Sequence, residues 1–313
     1  MVDDPTLTWD DAERAALVAL LRERPGRMSW AEIAAEVSAS ESARAVWSRL
    51  VPEDLFGTEP VAITAAIADV ESWRTSDFRF STFLDPEYPV QLREVHEMPP
   101  VLFSRGSLRV VDPAVSVVGS RKASDRGLRV ASTLAGDLAR RDITVVSGLA
   151  AGIDTAAHEA ALDAGGRTVA CIGTGITVSY PAENRALQER IARDGLVLSQ
   201  FWPDAPPQRQ NFPMRNAVMS GYGRATIIVE AGEHSGARIQ ARQAVEHGRS
   251  VILIDGVVQA NAWAQEISLR PGVHVATSTR QVMDLVEEAL NPSIPTEDLV
   301  TELIRDRGGR SHR

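Results

Sequence analysis

Three observations predict an α/β protein, a doubly wound parallel sheet preceded by a helical domain. From 114 to 290, short apolar runs alternate with helical patterns, and the candidate strands are 115–118, 143–146, 168–172, 196–198, 225–229, 251–254 and 273–276. These runs are continuously apolar and often β-branched, as strands covered on both faces should be. Glycine-bearing loops follow several of them and lead into helices, foremost Ser147-Gly148-Leu149-Ala150-Ala151-Gly152-Ile153-Asp154. Repeated βα units of this kind specify a parallel sheet with helices on both faces.

The composition is that of a globular chain: 313 residues, 44% hydrophobic and 24% charged. A single cysteine, Cys171, excludes an intramolecular disulfide framework and any CxxC metal site, and its apolar neighbours suit a buried small hydrophobe. No apolar stretch reaches membrane-spanning length, and the acidic start Met1-Val2-Asp3-Asp4 does not read as a signal peptide. The expectation is a cytoplasmic protein without membrane contact. A net charge of −9 argues against indiscriminate binding to nucleic acid, yet leaves room for a local basic groove.

In chain order, residues 9–73 are helical in pattern and hold four of the six tryptophans. Ser29-Trp30-Ala31-Glu32 has the form of a capping box, and a further helix over about 42–50 is stopped by Pro52. A helix-turn-helix is conceivable here, but Arg44 and Arg49 are its only cations, so a small helical bundle is preferred. Residues 1–73 are thus taken as an N-terminal helical domain. Residues 74–113 are proline-punctuated and apolar, a connector packed on the next domain and not a flexible linker. Residues 114–290 form the sheet domain; Ser278-Thr279-Arg280-Gln281 opens its last helix. Residues 291–313 are a polar tail with one weak helix around 297–304.

The chemistry belongs in the loops at the carboxyl edge of the strands, where open α/β sheets bind ligands. Gly119-Ser120-Arg121-Lys122 follows the first parallel strand and offers backbone donors, a hydroxyl and two cations to a phosphate. In the loop of Ser147, Gly148 and Gly152, Asp154 is placed to cap the following helix. Gly173-Thr174-Gly175 lacks the third glycine of a dinucleotide fingerprint, and GxxxxGKS/T, HExxH and GxSxG are all absent. No cofactor, resident metal or catalytic residue is therefore expected. Asn211-Phe212-Pro213-Met214-Arg215-Asn216 sets an aromatic face beside a cation, a combination that suits a base and its phosphate, although a Phe in such a place is more often core. Ser235 and Gly236 open a helix on which Arg238 and Arg242 share one face, which could equally be a solvated stripe. His158 and His234 are lone histidines, better suited to hydrogen-bonded or surface roles than to metal ligation.

The ordered set GSR, SGLAAGID, GTG followed by YPAEN, FPMRN and VEAGEHSG resembles the DNA-processing protein DprA (Smf) family. The stretch LDPEYPVQLREVHEMPPVLFSRG resembles that family's connector, so the likeness covers about 80–290. The resemblance implies an extended Rossmann-like fold that binds single-stranded DNA, dimerises, and delivers the recombinase RecA onto DNA taken up in transformation. It implies no enzymatic activity. The resemblance carries over Arg121, Phe212, Pro213, Arg215 and Asn216 and the loop glycines Gly148, Gly152, Gly173 and Gly175; with the residues read above, the expected nucleic-acid-binding set is Gly119, Ser120, Arg121, Lys122, Ser147, Gly148, Gly152, Gly173, Gly175, Asn211, Phe212, Arg215, Asn216, Ser235, Gly236, Arg238 and Arg242. The chain also departs from the pattern. Ala217 stands where the family has a second arginine, Arg238 lies inside the SG-initiated helix, and residues 259–269 replace a glycine-rich segment. Two alternatives are a sensor of a small nucleotide and a phosphoribohydrolase-like enzyme in which Glu230 polarises a ribose.

Overall fold

A computed structural model describes residues 9–51 and 61–291. Helices α1 (Asp11–Glu23), α2 (Trp30–Ser40), α3 (Ala43–Leu50) and α4 (Val61–Arg74) come first. The capping box of α2 forms as its sequence predicts: Glu32 N donates to Ser29 Oγ at 3.2 Å, and Ser29 N donates to Glu32 Oε2 at 2.7 Å. In α1 every residue from Ala15 to Leu21 is buried, because α3 and α4 pack on it. Glu13 of α1 accepts from Ala43 N at 2.6 Å and from Ser42 Oγ at 2.8 Å, so one helix satisfies the free amide at the start of another.

The remainder builds one sheet. Its strands are β1 (Arg79–Thr82), β2 (Val101–Gly106), β3 (Ala114–Val118), β4 (Thr144–Ser147), β5 (Thr168–Cys171), β6 (Leu196–Ser199), β7 (Ala225–Ile228), β8 (Ser250–Ile254) and β9 (Val273–Ala276). Their spatial order is β1-β2-β6-β5-β4-β3-β7-β8-β9. Strands β3 to β9 are parallel to their neighbours among themselves, while β2 is antiparallel to both β1 and β6. All seven strands expected between 114 and 290 are present, in a mixed sheet that remains doubly wound. Within 74–113, expected as a connector packed on the next domain, strands β1 and β2 join the sheet, and a short helix α5 (Val90–Arg93) separates them.

The connecting helices are α6 (Asp125–Arg140), α7 (Ile153–Asp163), α8 (Arg185–Asp194), α9 (Asn211–Tyr222), α10 (Gly236–Glu246), α11 (Asp255–Ala260), α12 (Ala262–Ile267) and α13 (Thr279–Leu290). Strand alternation sorts side chains between two cores. Val115 and Val117 of β3 face the core under α6, α7 and α13. Ala114 and Val118 face the other core, which continues without a break into the N-terminal helices. Ser116 shares that second face, and its hydroxyl donates to the Met219 carbonyl at 3.0 Å. The helix expected around 297–304 lies outside the described residues.

Candidate nucleic-acid interface

Strand order reverses between β3 and β7, which places the crevice of a doubly wound sheet between the loops that follow them. This crevice is bridged from within. Ser120 N donates to the Glu230 carbonyl at 2.7 Å. The Glu230 carboxylate accepts from Ser124 N at 2.9 Å and from Ser124 Oγ at 2.5 Å. Ser124 is itself the N-cap of α6, accepting from Gly127 N at 3.0 Å. A Cβ on Gly127 would lie 2.5 Å from Glu230 Oε2, so glycine lets the carboxylate lie against the first turn of the helix.

One strand over, the loops after β3, β4 and β5 enclose a pocket of about 160 Å³ together with α9. It falls below the roughly 300–1,000 Å³ that encloses a drug-sized ligand, and its size suits a phosphate or the edge of one base. Arg121 stands exposed at its rim, with its guanidinium carbon 5.3 Å from the centroid of the Phe212 ring. Arg215 approaches the same ring at 5.9 Å. Tyr180 lies beside it, with ring centroids 5.8 Å apart. Gly173 makes room for Phe212, since a Cβ there would sit 3.0 Å from the ring.

The sequence places Arg215 near the start of its helix, turned toward a ligand. In the structure it lies in the second turn of α9 and is 5% exposed. Its Nη1 donates to the carbonyls of Gly148 and Cys171, the latter at 2.9 Å, and its Nε donates to Asn216 Oδ1 at 3.2 Å. It thus ties the ends of β4 and β5 together. Its Nη2 carries no hydrogen bond among the described residues, and the side chain lines the pocket. A Cβ on Gly148 would lie 2.0 Å from Arg215 Nη1, so a larger residue there would displace the guanidinium. Burial presses the guanidinium below its ordinary pKa, Asp154 opposes that, and Arg121 adds to it.

Asp154 also differs from expectation. The N-cap of α7 is Gly152, at φ +81°, and it makes no side-chain cap. The Asp154 carboxylate turns back into its own loop and accepts from Gly148 N at 3.2 Å and Ala150 N at 3.3 Å. Burial raises its pKa, while Arg215 and the hydrogen bonds of this loop oppose the rise. Gly152 packs so closely on the preceding loop that a Cβ would meet the Ser120 carbonyl at 2.4 Å. Asn184 completes the support: its Nδ2 donates to the Leu149 carbonyl and to Thr155 Oγ1, both at 2.9 Å.

The structure therefore brings Arg121, Gly148, Gly173, Phe212 and Arg215 around one pocket. Asn211 braces it, its Nδ2 donating to the Gly173 carbonyl at 3.1 Å; Asn216 braces Arg215. Ser147 ends β4 and donates to the Val117 carbonyl at 2.7 Å. Gly119 and Ser120 join the loops, and Lys122 stands exposed beside Arg121. Gly175 lies apart, against the carbonyls of Trp202 and Pro203. Ser235, Gly236, Arg238 and Arg242 do not line this pocket: Ser235 caps α10, and both arginines face outward, Arg242 toward Glu246 at 3.5 Å. Sequence reasoning leaves Tyr180, Pro181, Glu183 and Asn184 outside the site; the YPAEN run is the signal that could have found them, and all but Asn184 line the pocket. His158 is buried, hydrogen-bonded at Nδ1 to Thr168 Oγ1 (2.7 Å), and burial first and Arg215 second push its pKa down to about 3, so it is a neutral core group.

Among the described residues, no helix is long and apolar enough to cross a membrane. Residues 79–289 match the family model described as DNA recombination-mediator protein A. The chain is 43% identical over 183 residues to the DNA processing protein DprA of Streptococcus pneumoniae, covering 58% of this chain and 64% of that protein. It is 41% identical over 187 residues to the Smf protein of Synechocystis, covering 58% of this chain and 47% of that one. The matches thus span about half to two thirds of these relatives' lengths. The X-ray structure of the S. pneumoniae DprA superposes with a TM-score of 0.67 at 29% identity, covering 88% of this chain and 95% of that chain. The DprA of Helicobacter pylori, solved for its single-stranded DNA binding mode, shares the fold with a TM-score of 0.59 at 24% identity, covering 67% and 97%. By the reach of the family model and the shared sheet, the chain belongs to the DNA recombination-mediator protein A family, the DprA (Smf) proteins.

Proposed function

We propose that the chain binds single-stranded DNA through this pocket and, as a homodimer, hands the strand to a RecA-type recombinase without covalent chemistry of its own. The observation that carries the proposal is the approach of Arg121 and Arg215 to the ring of Phe212 within a single pocket. The exposed guanidinium of Arg121 can pair bidentately with phosphate, and Arg215 has Nη2 left to donate. An aromatic face accepts any base, so the site favours a flexible strand with exposed bases over a duplex whose bases are stacked away. Membership in a family of recombination mediators supports the handover, and the single-stranded DNA binding of the H. pylori protein supports the ligand class. Against a base-releasing enzyme stands Glu230, whose carboxylate is already engaged by Ser124 at both oxygens.

The test is a competition between labelled single-stranded oligonucleotide, duplex and mononucleotides, on protein shown folded by circular dichroism. Single strand should win. Arg121→Ala should weaken binding and flatten its salt dependence by nearly one contact. Phe212→Ala should cost about 1–3 kcal/mol with the salt dependence almost unchanged. Wild-type affinity in Arg121→Ala across a salt series would remove the pocket from the reading, and tighter binding to mononucleotide than to any oligonucleotide would favour a small-nucleotide sensor.

A further inference from the structure

At the opposite edge of the sheet, before the amino end of β8, three side chains converge. His96 and Glu97 lie between α5 and β2, and His247 closes α10. Their candidate ligand atoms all lie within 4.8 Å of one another. His247 Nε2 is 2.8 Å from Glu97 Oε2, and His96 Nε2 is 3.8 Å from the same oxygen. The two imidazole rings meet edge to face with centroids 5.3 Å apart. We propose that His96, Glu97 and His247 bind one divalent transition-metal ion of the zinc type.

The contacts around His247 hold its ring in place. Ser220 Oγ donates to the Ala217 carbonyl at 3.2 Å and lies 2.7 Å from His247 Nδ1. In the tautomer with the proton on Nδ1, that N–H donates to Ser220 and leaves Nε2 with the lone pair a metal ion would use. An outer hydrogen bond on the second ring nitrogen is also what orients a metal-binding histidine.

Glu94 is already held by Arg224 (2.5 and 3.0 Å) and by Arg249 (2.9 Å). Among the described residues Glu97 pairs only with the two histidines. Two imidazoles and one carboxylate suit zinc, with water as a fourth ligand, whereas magnesium and calcium prefer all-oxygen sites. Zinc–ligand bonds of about 2.0–2.2 Å in a tetrahedron set the ligand atoms roughly 3.3 Å apart. The two imidazole–carboxylate distances, 2.8 and 3.8 Å, bracket that spacing, and the two imidazole nitrogens lie within 4.8 Å of each other. Small rotations close the difference, since the His96 and Glu97 side chains are 66% and 40% exposed while His247 is fixed. Such an ion would pin the segment before β2 to the end of α10, far from the DNA pocket.

The experiment uses the full chain without a histidine tag, freed of metal by chelation and dialysed. Calorimetric titration with zinc chloride should give saturable binding of one ion per chain, and magnesium chloride should give none. Cobalt(II) should develop the visible bands of a four-coordinate site. His96→Gln and Glu97→Gln alter exposed side chains, so their metal-free melting temperatures should match the wild type. Each should weaken zinc binding at least about tenfold and lose the cobalt bands. The absence of saturable binding, or binding equal to wild type in both variants, would overturn the proposal and leave Glu97 and His247 as an ordinary hydrogen-bonded pair.

Discussion

At the scale of single residues, the two arginines of the pocket do different work. Arg121 is exposed and makes no bond that the loop depends on, whereas Arg215 is buried and satisfies carbonyls at the ends of two strands. Arg215→Ala would strand those carbonyls without donors, at about 1–3 kcal/mol for each group left unpaired. Chemical denaturation should therefore show Arg215→Ala markedly destabilised and Arg121→Ala close to wild type; equal midpoints for the two variants would contradict the division of roles. The motif FPMRN makes both Phe212 and Arg215 visible in the sequence as a ring and a cation. The inward turn of Arg215 is not visible there, because it depends on carbonyls of Gly148 and Cys171 that lie 67 and 44 residues away along the chain. The same holds for Asp154, whose spacing from Gly152 fits a cap but whose carboxylate serves the loop.

At the scale of elements, the parallel strands are legible because each is a continuous apolar run bounded by loop residues. Strand β2 is not, although Val101, Leu102 and Phe103 are fully buried. Pro99 and Pro100 precede it, and nothing local announces that the run turns antiparallel and joins the sheet beside β6. Its anchor is Phe103, which meets Trp73 at 5.0 Å, Phe80 at 5.2 Å, Phe78 at 5.9 Å and Trp202 at 6.2 Å. This one ring joins α4, both added strands and the segment after β6. Phe103→Ala should cost about 3–5 kcal/mol as a large-to-small change in a packed core. Urea unfolding would measure it, and a loss below about 1 kcal/mol would mean that β2 is held by its backbone ladder alone.

For the whole molecule, charge sets the character of binding. The chain carries 42 acidic against 33 basic residues, a net of −9. Glu183 lines the pocket itself, and Glu230 stands at the neighbouring crevice. Few phosphates can be neutralised against that background. A plot of log affinity against log salt should be shallow, equivalent to about two to four phosphate contacts at roughly 0.7 each for a single strand. A slope equivalent to about eight or more contacts would call for a basic surface elsewhere, with Arg238 and Arg242 the first residues to test. Their shared face on α10 is readable from a spacing of four, but their distance from the pocket is not, since it follows from the course of the helix away from the strand ends.

The Glu230 bridge has a further consequence. The start of α6 is the place where a doubly wound sheet would receive a dinucleotide's phosphates, drawn by free amides and the helix dipole. There the protein supplies a resident anion of its own, and any visiting phosphate must compete with a tethered carboxylate that never dissociates. Glu230→Ala would vacate the position, with Arg121 in the same loop to greet a newcomer. Equilibrium dialysis with a free dinucleotide should then detect binding in the variant and none in the wild type.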